Sequence, residues 1–141
     1  RDKDLLIKLV KDHNVIYPLA ALVGAPICRE RKEECWEVNY GHVQTILDNA
    51  SPSTQIIYSN TNSIFGSSEV PVDESSPTQC FSDYAASKLK SEEKVIEWGG
   101  ISIRLSTLAG LSYRNRTDLL VNSTILILVM LRASWNLLGY S

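Results

Sequence analysis

The sequence predicts an α/β fold, a parallel sheet with helices on both faces. Short apolar runs alternate with helically periodic segments along the 141 residues, the pattern left by parallel strands joined through crossover helices. The order is helix, strand, helix, strand, helix, strand, helix. In addition, the chemically suggestive residues fall just after the apolar runs, where open parallel sheets bind ligands beyond the carboxyl ends of their strands.

The elements follow in order. Leu5 to Val10 has helical spacing, with Leu5, Leu6, Leu9 and Val10 on one side. Val15 to Leu19 is a short strand. It runs into Leu19-Ala-Ala-Leu-Val-Gly24, a small-residue loop that lets another group approach the backbone closely. Glu30 to Ala50 reads as one long helix with Cys35, Val38, Val43, Ile46, Leu47 and Ala50 near one stripe, broken by Ser51-Pro52-Ser53. Gln55 to Ser59 is the second strand, and Asn60 to Phe81 is a loop rich in Ser, Pro and Thr. Ser82 caps a helix from Asp83 to Trp98 that Gly99-Gly100 stops. Ile101 to Leu105 is the third strand, Ser106 to Asp118 a loop, and a last helix begins near Leu119.

Composition narrows the function. Hydrophobic residues make up 44% and charged residues 21%, ordinary for a globular chain with a real core. The net charge of −2 gives no electrostatic footprint for nucleic acid. Cys28, Cys35 and Cys80 are odd in number and lack metal-ligand spacing, so free thiols in a reducing cytoplasm are expected. His13 and His42 lie far apart in polar contexts, and no metal site is expected. The chain opens Arg-Asp-Lys-Asp without an apolar run, so no signal peptide is read, and the Asn-x-Ser/Thr triplets at Asn49, Asn115 and Asn122 are discounted as glycan sites. Ile125 to Leu131 is too short an apolar run to span a bilayer.

The strongest chemical signal is Tyr84-Ala-Ala-Ser-Lys88. Residues four apart share a helix face, and an adjacent ammonium favours phenolate. A tyrosine tuned in this way accepts a proton from an alcohol near neutral pH, which its free pKa of about 10 does not allow. Thr61, after the second strand, offers a hydroxyl at that strand's carboxyl end. The pair alone is weak: Tyr-x-x-x-Lys arises by chance in roughly one chain in four of this length, and a tyrosine on a solvated helix face explains it as well.

Several blocks, in order, give the pair its context. They are Leu19-Ala-Ala; Val38-Asn39; Tyr58-Ser-Asn-Thr-Asn-Ser-Ile-Phe-Gly66; Asp73-Glu74 with Pro77; Tyr84 to Lys88; and Ile103-Arg-Leu-Ser-Thr-Leu-Ala-Gly-Leu-Ser112 continuing through Arg114, Arg116, Asp118 and Val121-Asn122. Together they resemble the middle of an extended short-chain dehydrogenase/reductase of the NAD-dependent epimerase/dehydratase group, which acts on nucleotide sugars. The resemblance covers about residues 1 to 122 and implies the central part of a Rossmann-like, doubly wound parallel sheet. Residues 123–141 are set apart as a divergent tail. The glycine turn, Gly-x-x-Gly-x-x-Gly, that seats the pyrophosphate in that family does not occur here. Nor is there a match to the family's C-terminal substrate domain.

The resemblance implies roles. Tyr84 is the general base, Lys88 holds the cofactor ribose and lowers the Tyr84 pKa, and Thr61 orients the reacting hydroxyl. Asn39 supports the site from behind, or is an ordinary polar helix residue. Leu19, Ala20, Ala21, Val23, Ser59 and Leu105 line the cofactor cleft with Tyr84 and Lys88; plain strand-end packing accounts for the first four equally. Thr107, Arg114, Arg116 and Asn122 join Thr61 on the substrate side. For the two arginines, pairing with a diphosphate and a solvated charge pair stand about even. Trp36, Trp98 and Trp135 are packing residues. The implied cofactor is NAD, with NADP open, and the implied substrate a nucleotide sugar. The helices from Glu30 and Asp83 resemble a pair that forms a homodimer interface; neither nucleic acid nor membrane is an expected partner.

The leading function is an epimerase that oxidises a sugar hydroxyl and re-reduces the ketone from the other face. A 4,6-dehydratase ranks below it, because that branch carries Thr-Asp-Glu where this chain has Thr61-Asn62-Ser63. A nucleotide-sugar reductase stays open. From another class, a non-catalytic Rossmann-like binding module or inactive fragment remains, and the 141-residue chain alone is expected to be inactive.

Overall fold

A computed structural model describes residues 2–108 and 120–137, and the side chains of 2–108 and 121–130. It divides into two units, Arg1–Ser106 and Thr107–Ser141. The first holds a three-stranded parallel sheet in the order β1 (Val15–Ile16), β2 (Gln55–Thr61), β3 (Ile101–Leu105). Its helices are α1 (Lys3–Lys11), α2 (Ala25–Glu30), α3 (Lys32–Trp36), a π-helical turn (Glu37–Gly41), α4 (His42–Asn49) and α5 (Asp83–Trp98), with a 3-10 turn at Asn62–Phe65. The second unit contains α6 (Leu120–Leu137), one continuous helix across position 123. None of the described helices is long and apolar enough to cross a membrane.

Local chemistry sets most boundaries. Asp2 caps α1 by accepting from Leu5 N at 2.9 Å. The Ser82 Oγ accepts from Ala85 N at 3.2 Å to start α5, and Gly99, at φ +93°, closes it in the left-handed conformation. β1 stops two residues before Pro18, which has no N–H to give a ladder. β2 runs two residues beyond the expected Ser59, because Asn60 and Thr61 pair with Arg104 and Leu105 of β3.

The long helix expected from Glu30 to Ala50 is instead three helices and a π turn. It starts early, with Pro26 in the first turn of α2, and breaks at Arg31, where φ −122° and ψ 58° leave the helical region. The π turn has a packing consequence. Val38 and Val43 are five apart, about 140° around a regular helix, yet both are buried. The wider turn brings them to one side.

The core packs Ile56 and Tyr58 of β2 against Val10 of α1, Val43, Ile46 and Leu47 of α4 and Val95 of α5. On the other face of the sheet, Ile101, Ile103 and Leu105 of β3 are exposed. Cys28, Cys35 and Cys80 are free thiols.

One buried ion pair ties the helix layer to the sheet. Glu92 of α5, 5% exposed, accepts from Arg104 Nε at 3.0 Å and Nη2 at 2.6 Å, from Asn60 Nδ2 at 2.8 Å and from Ser102 Oγ at 2.6 Å. Burial pushes the Glu92 pKa up, but the bonds from Arg104, Asn60 and Ser102 outweigh it, and the net shift is down. A carboxyl whose folded pKa is depressed contributes stability that is present above its unfolded pKa of about 4.3 and lost as pH falls through the folded value. Acid titration followed by circular dichroism should therefore show a stability loss below about pH 4 that is smaller in Glu92→Gln. Glu92→Ala, which leaves Arg104 unpaired, should cost about 3 kcal/mol in urea unfolding. Gly66 offers a separate test. Its φ is +68°, and a Cβ there would lie 2.5 Å from the Gln79 carbonyl oxygen and 2.7 Å from Phe81 Cε2. Gly66→Ala should lower the urea midpoint by an amount equivalent to about 1–3 kcal/mol.

Candidate active site

The carboxyl end of β2 carries Ser59 and Thr61, the first two turns of α5 carry Tyr84 and Lys88, and a hydrogen bond from Lys88 to Ser59 joins the two elements. The Ser82 cap puts Tyr84, half-buried, in the first turn and Lys88 one turn later on the same face. Lys88 is 5% exposed. Its Nζ donates to the Ser59 carbonyl at 2.6 Å and stands 4.1 Å from the centroid of the Tyr58 ring. Burial lowers the Lys88 pKa to about 8, so the amine is mostly charged at neutral pH. Thr61 ends β2 in register with Leu105. The Thr61 Oγ1 accepts from Ser63 N and donates to Ser63 Oγ, both at 3.2 Å, which caps the 3-10 turn.

Leu19, Ala20, Ala21 and Val23 lie in the loop after β1, with Leu19 and Val23 well exposed. Asn39 fixes that loop. From the π turn its Oδ1 accepts from Leu22 N at 2.7 Å, and its Nδ2 donates to Leu22 O at 3.0 Å. The side-chain amide thus pairs both backbone groups of one loop residue as a neighbouring strand would. The Asn39 Nδ2 also reaches Ser87 Oγ at 3.2 Å and Cys35 Sγ at 3.4 Å, and Cys28 Sγ donates to Leu22 O at 3.2 Å. Desolvation, followed by its interactions with Cys35, pushes the Cys28 thiol up to about 12. The thiol therefore stays protonated as a donor.

Arg114 and Arg116 lie outside the described residues. Thr107, exposed, and Asn122, half-buried in α6, belong to the second unit. Trp36 packs edge-on against Tyr40 at 6.3 Å and donates to Asp83 Oδ1 at 3.0 Å, tying α3 to the start of α5. Behind the site stand residues to which the sequence assigns no role of their own: Tyr58, Asn60, Ser87, Ser91, Glu92 and Arg104. Spacing carries a trace of some of them, since Ser91 and Glu92 follow Ser87 and Lys88 by four. Arg104 Nη1 also donates to the Glu74 carbonyl at 3.0 Å, and the guanidinium lies over the Phe65 ring at 5.1 Å. Arg104 thereby anchors the loop that precedes α5.

Among the described residues, a cavity of about 530 Å³ lies beside α1 and α4 and another of about 460 Å³ within the loop 65–79; Tyr84, Lys88 and Thr61 line neither. Ala20 borders the larger.

The chain is 30% identical over 74 residues to a UDP-N-acetyl-alpha-D-glucosaminuronate decarboxylase of Bacillus cytotoxicus, an alignment covering 52% of this chain and 23% of that protein. Among solved structures, UDP-glucuronic acid 4-epimerase from Bacillus cereus in complex with NAD superposes with a TM-score of 0.73 at 23% identity, over 87% of this chain and 42% of that one. RMD from Pseudomonas aeruginosa, complexed with NADPH, gives 0.76 at 18% identity, over 86% and 46%. The chain thus spans less than half the length of these relatives, and the structural likenesses establish a shared Rossmann-like fold. The profile of the NAD dependent epimerase/dehydratase family matches residues 1–132, and the chain belongs to that family.

Proposed function

We propose that the intact protein is an NAD-dependent nucleotide-sugar epimerase. The observation that carries this reading is the Lys88 ammonium, held at 2.6 Å by the Ser59 carbonyl one helical turn from Tyr84. These residues fit the nicotinamide-ribose half of NAD. Lys88 directs one N–H to Ser59 and has two more protons for ribose hydroxyls. The loop from Leu19 to Val23, pinned by Asn39, offers small and apolar surface with Ser59 and Leu105. NAD, when bound, supplies reversible hydride acceptance from the sugar carbon. Tyr84 takes the proton of the sugar hydroxyl on its phenol oxygen and returns it when the ketone is reduced. Lys88 favours the phenolate by its charge, and the Thr61 hydroxyl holds the reacting oxygen in line. Thr107, Arg114, Arg116 and Asn122 are assigned to the substrate, with the arginines on the diphosphate and Asn122 on its phosphate side.

The same oxidation would serve a decarboxylase. If the sugar carried a carboxylate β to the new ketone, loss of CO2 would follow from a β-keto acid, and the resemblance to a UDP-sugar decarboxylase favours this as the second reading. A dehydratase is disfavoured, because Asn62 and Ser63 cannot act as an acid–base pair. A homodimer through α3–α4 and α5 is part of the proposal.

Product analysis with UDP-hexoses and UDP-uronic acids tests it. The intact protein should interconvert C4 epimers without net NADH, and Tyr84→Phe should lower kcat about 10²–10⁴-fold. Release of CO2 from a uronic acid would establish the second reading, and absence of turnover on either class would reject both. The 141-residue chain, without a Gly-x-x-Gly-x-x-Gly turn, should show no saturable NAD binding by calorimetry up to about 1 mM.

A further inference from the structure

Lys88 presents a problem that the proposed function leaves open. Its ammonium is taken out of water, and a buried charge is costly unless partners replace the lost hydration. One carbonyl, that of Ser59, meets it at 2.6 Å. The second neighbour is aromatic: the face of Tyr58, 4.1 Å from Nζ to ring centroid, inside the range where a ring quadrupole attracts a cation. Tyr58 precedes Ser59 on β2, so the carbonyl and the ring come from adjacent residues of a strand that β1 and β3 hold on both sides. The ring is itself 1% exposed, fixed among Val10, Val43, Ile46, Leu47, Ile56 and Val95.

The Tyr58 hydroxyl does not explain the residue. Among the described residues it is buried without a hydrogen-bond partner, which by itself costs stability. Burial pushes its pKa up, with Ser91 near enough to oppose the shift but not in bonding geometry. The other ionisable groups of α5 that act on the Tyr58 hydroxyl are Tyr84 and Glu92, and Glu92 is already neutralised by Arg104.

We propose that Tyr58 is a positioning residue for Lys88, its ring face and the Ser59 carbonyl together seating the ammonium at the carboxyl end of β2. The role rests on the proposed function only for its purpose. The seat itself is a property of this chain and is measurable without substrate.

The experiment is a titration of the Lys88 ε-carbon by NMR in the 141-residue chain, the signal being assigned from its loss in Lys88→Met. Tyr58 is replaced by Phe and then by phenylalanines of increasing fluorination, which keep the ring's shape and weaken, then reverse, its quadrupole. Tyr58→Phe should keep the Lys88 midpoint within about 0.3 pH unit, and the pentafluoro ring should lower it by about one unit. Should the pentafluoro chain fail to fold by circular dichroism, the mono- to trifluoro members must still show a stepwise fall. A midpoint indifferent to fluorination, or one that falls as far with Phe as with the fluorinated rings, overturns the proposal. Neither result touches the epimerase reading, which stands or falls on turnover by the intact protein.

Discussion

Helix α5 buries polar groups. Ser87, Lys88, Ser91 and Glu92 are all sealed between the sheet and the α3–α4 layer, and each must find partners there, because an unsatisfied buried polar group costs about 1–3 kcal/mol, and a charged one more. The rest of the unit is arranged around that demand. Glu92 is met by Arg104, Asn60 and Ser102. Ser91 donates to the carbonyls of Asn39 and Ser87 at 2.8 and 2.9 Å. Ser87 donates to the Tyr84 carbonyl at 2.9 Å and accepts from Asn39. Lys88 is met by β2.

This polar seam links the candidate site to the packing. The same contacts that satisfy α5 fix the two loops that flank the site of the proposed chemistry. Through Asn39 the seam reaches Leu22 and holds the loop after β1; through Arg104 it reaches Glu74 and Phe65 and holds the loop before α5. Individually these hydrogen bonds contribute about 1 kcal/mol net. Their value lies in specificity, since a shift of α5 by one residue would leave several groups unpaired at once.

Family membership rests on the match over residues 1–132, whereas the proposed chemistry rests on a small part of the chain: the end of β2, the start of α5 and the loop after β1. In the proposal that part takes the nicotinamide side of a dinucleotide. The grip on the pyrophosphate requires a glycine turn that these residues do not include.

The sequence alone determined what depends on near neighbours. The bounds of α5, from the Ser82 cap to Gly99, and those of β3 were legible because capping and left-handed glycines act within a few residues. So was the Tyr84–Lys88 pair, which helical geometry places on one face. Tertiary structure decided what depends on residues distant in sequence. The break at Arg31 and the π turn carry no local signal such as an interior proline. They become intelligible once Val38, Val43 and Asn39 are seen to be buried against α5 and the loop at Leu22. Likewise Glu92 and Arg104, twelve apart, read as ordinary surface charges in sequence. Only folding, by removing water from Glu92, makes the guanidinium opposite it a requirement.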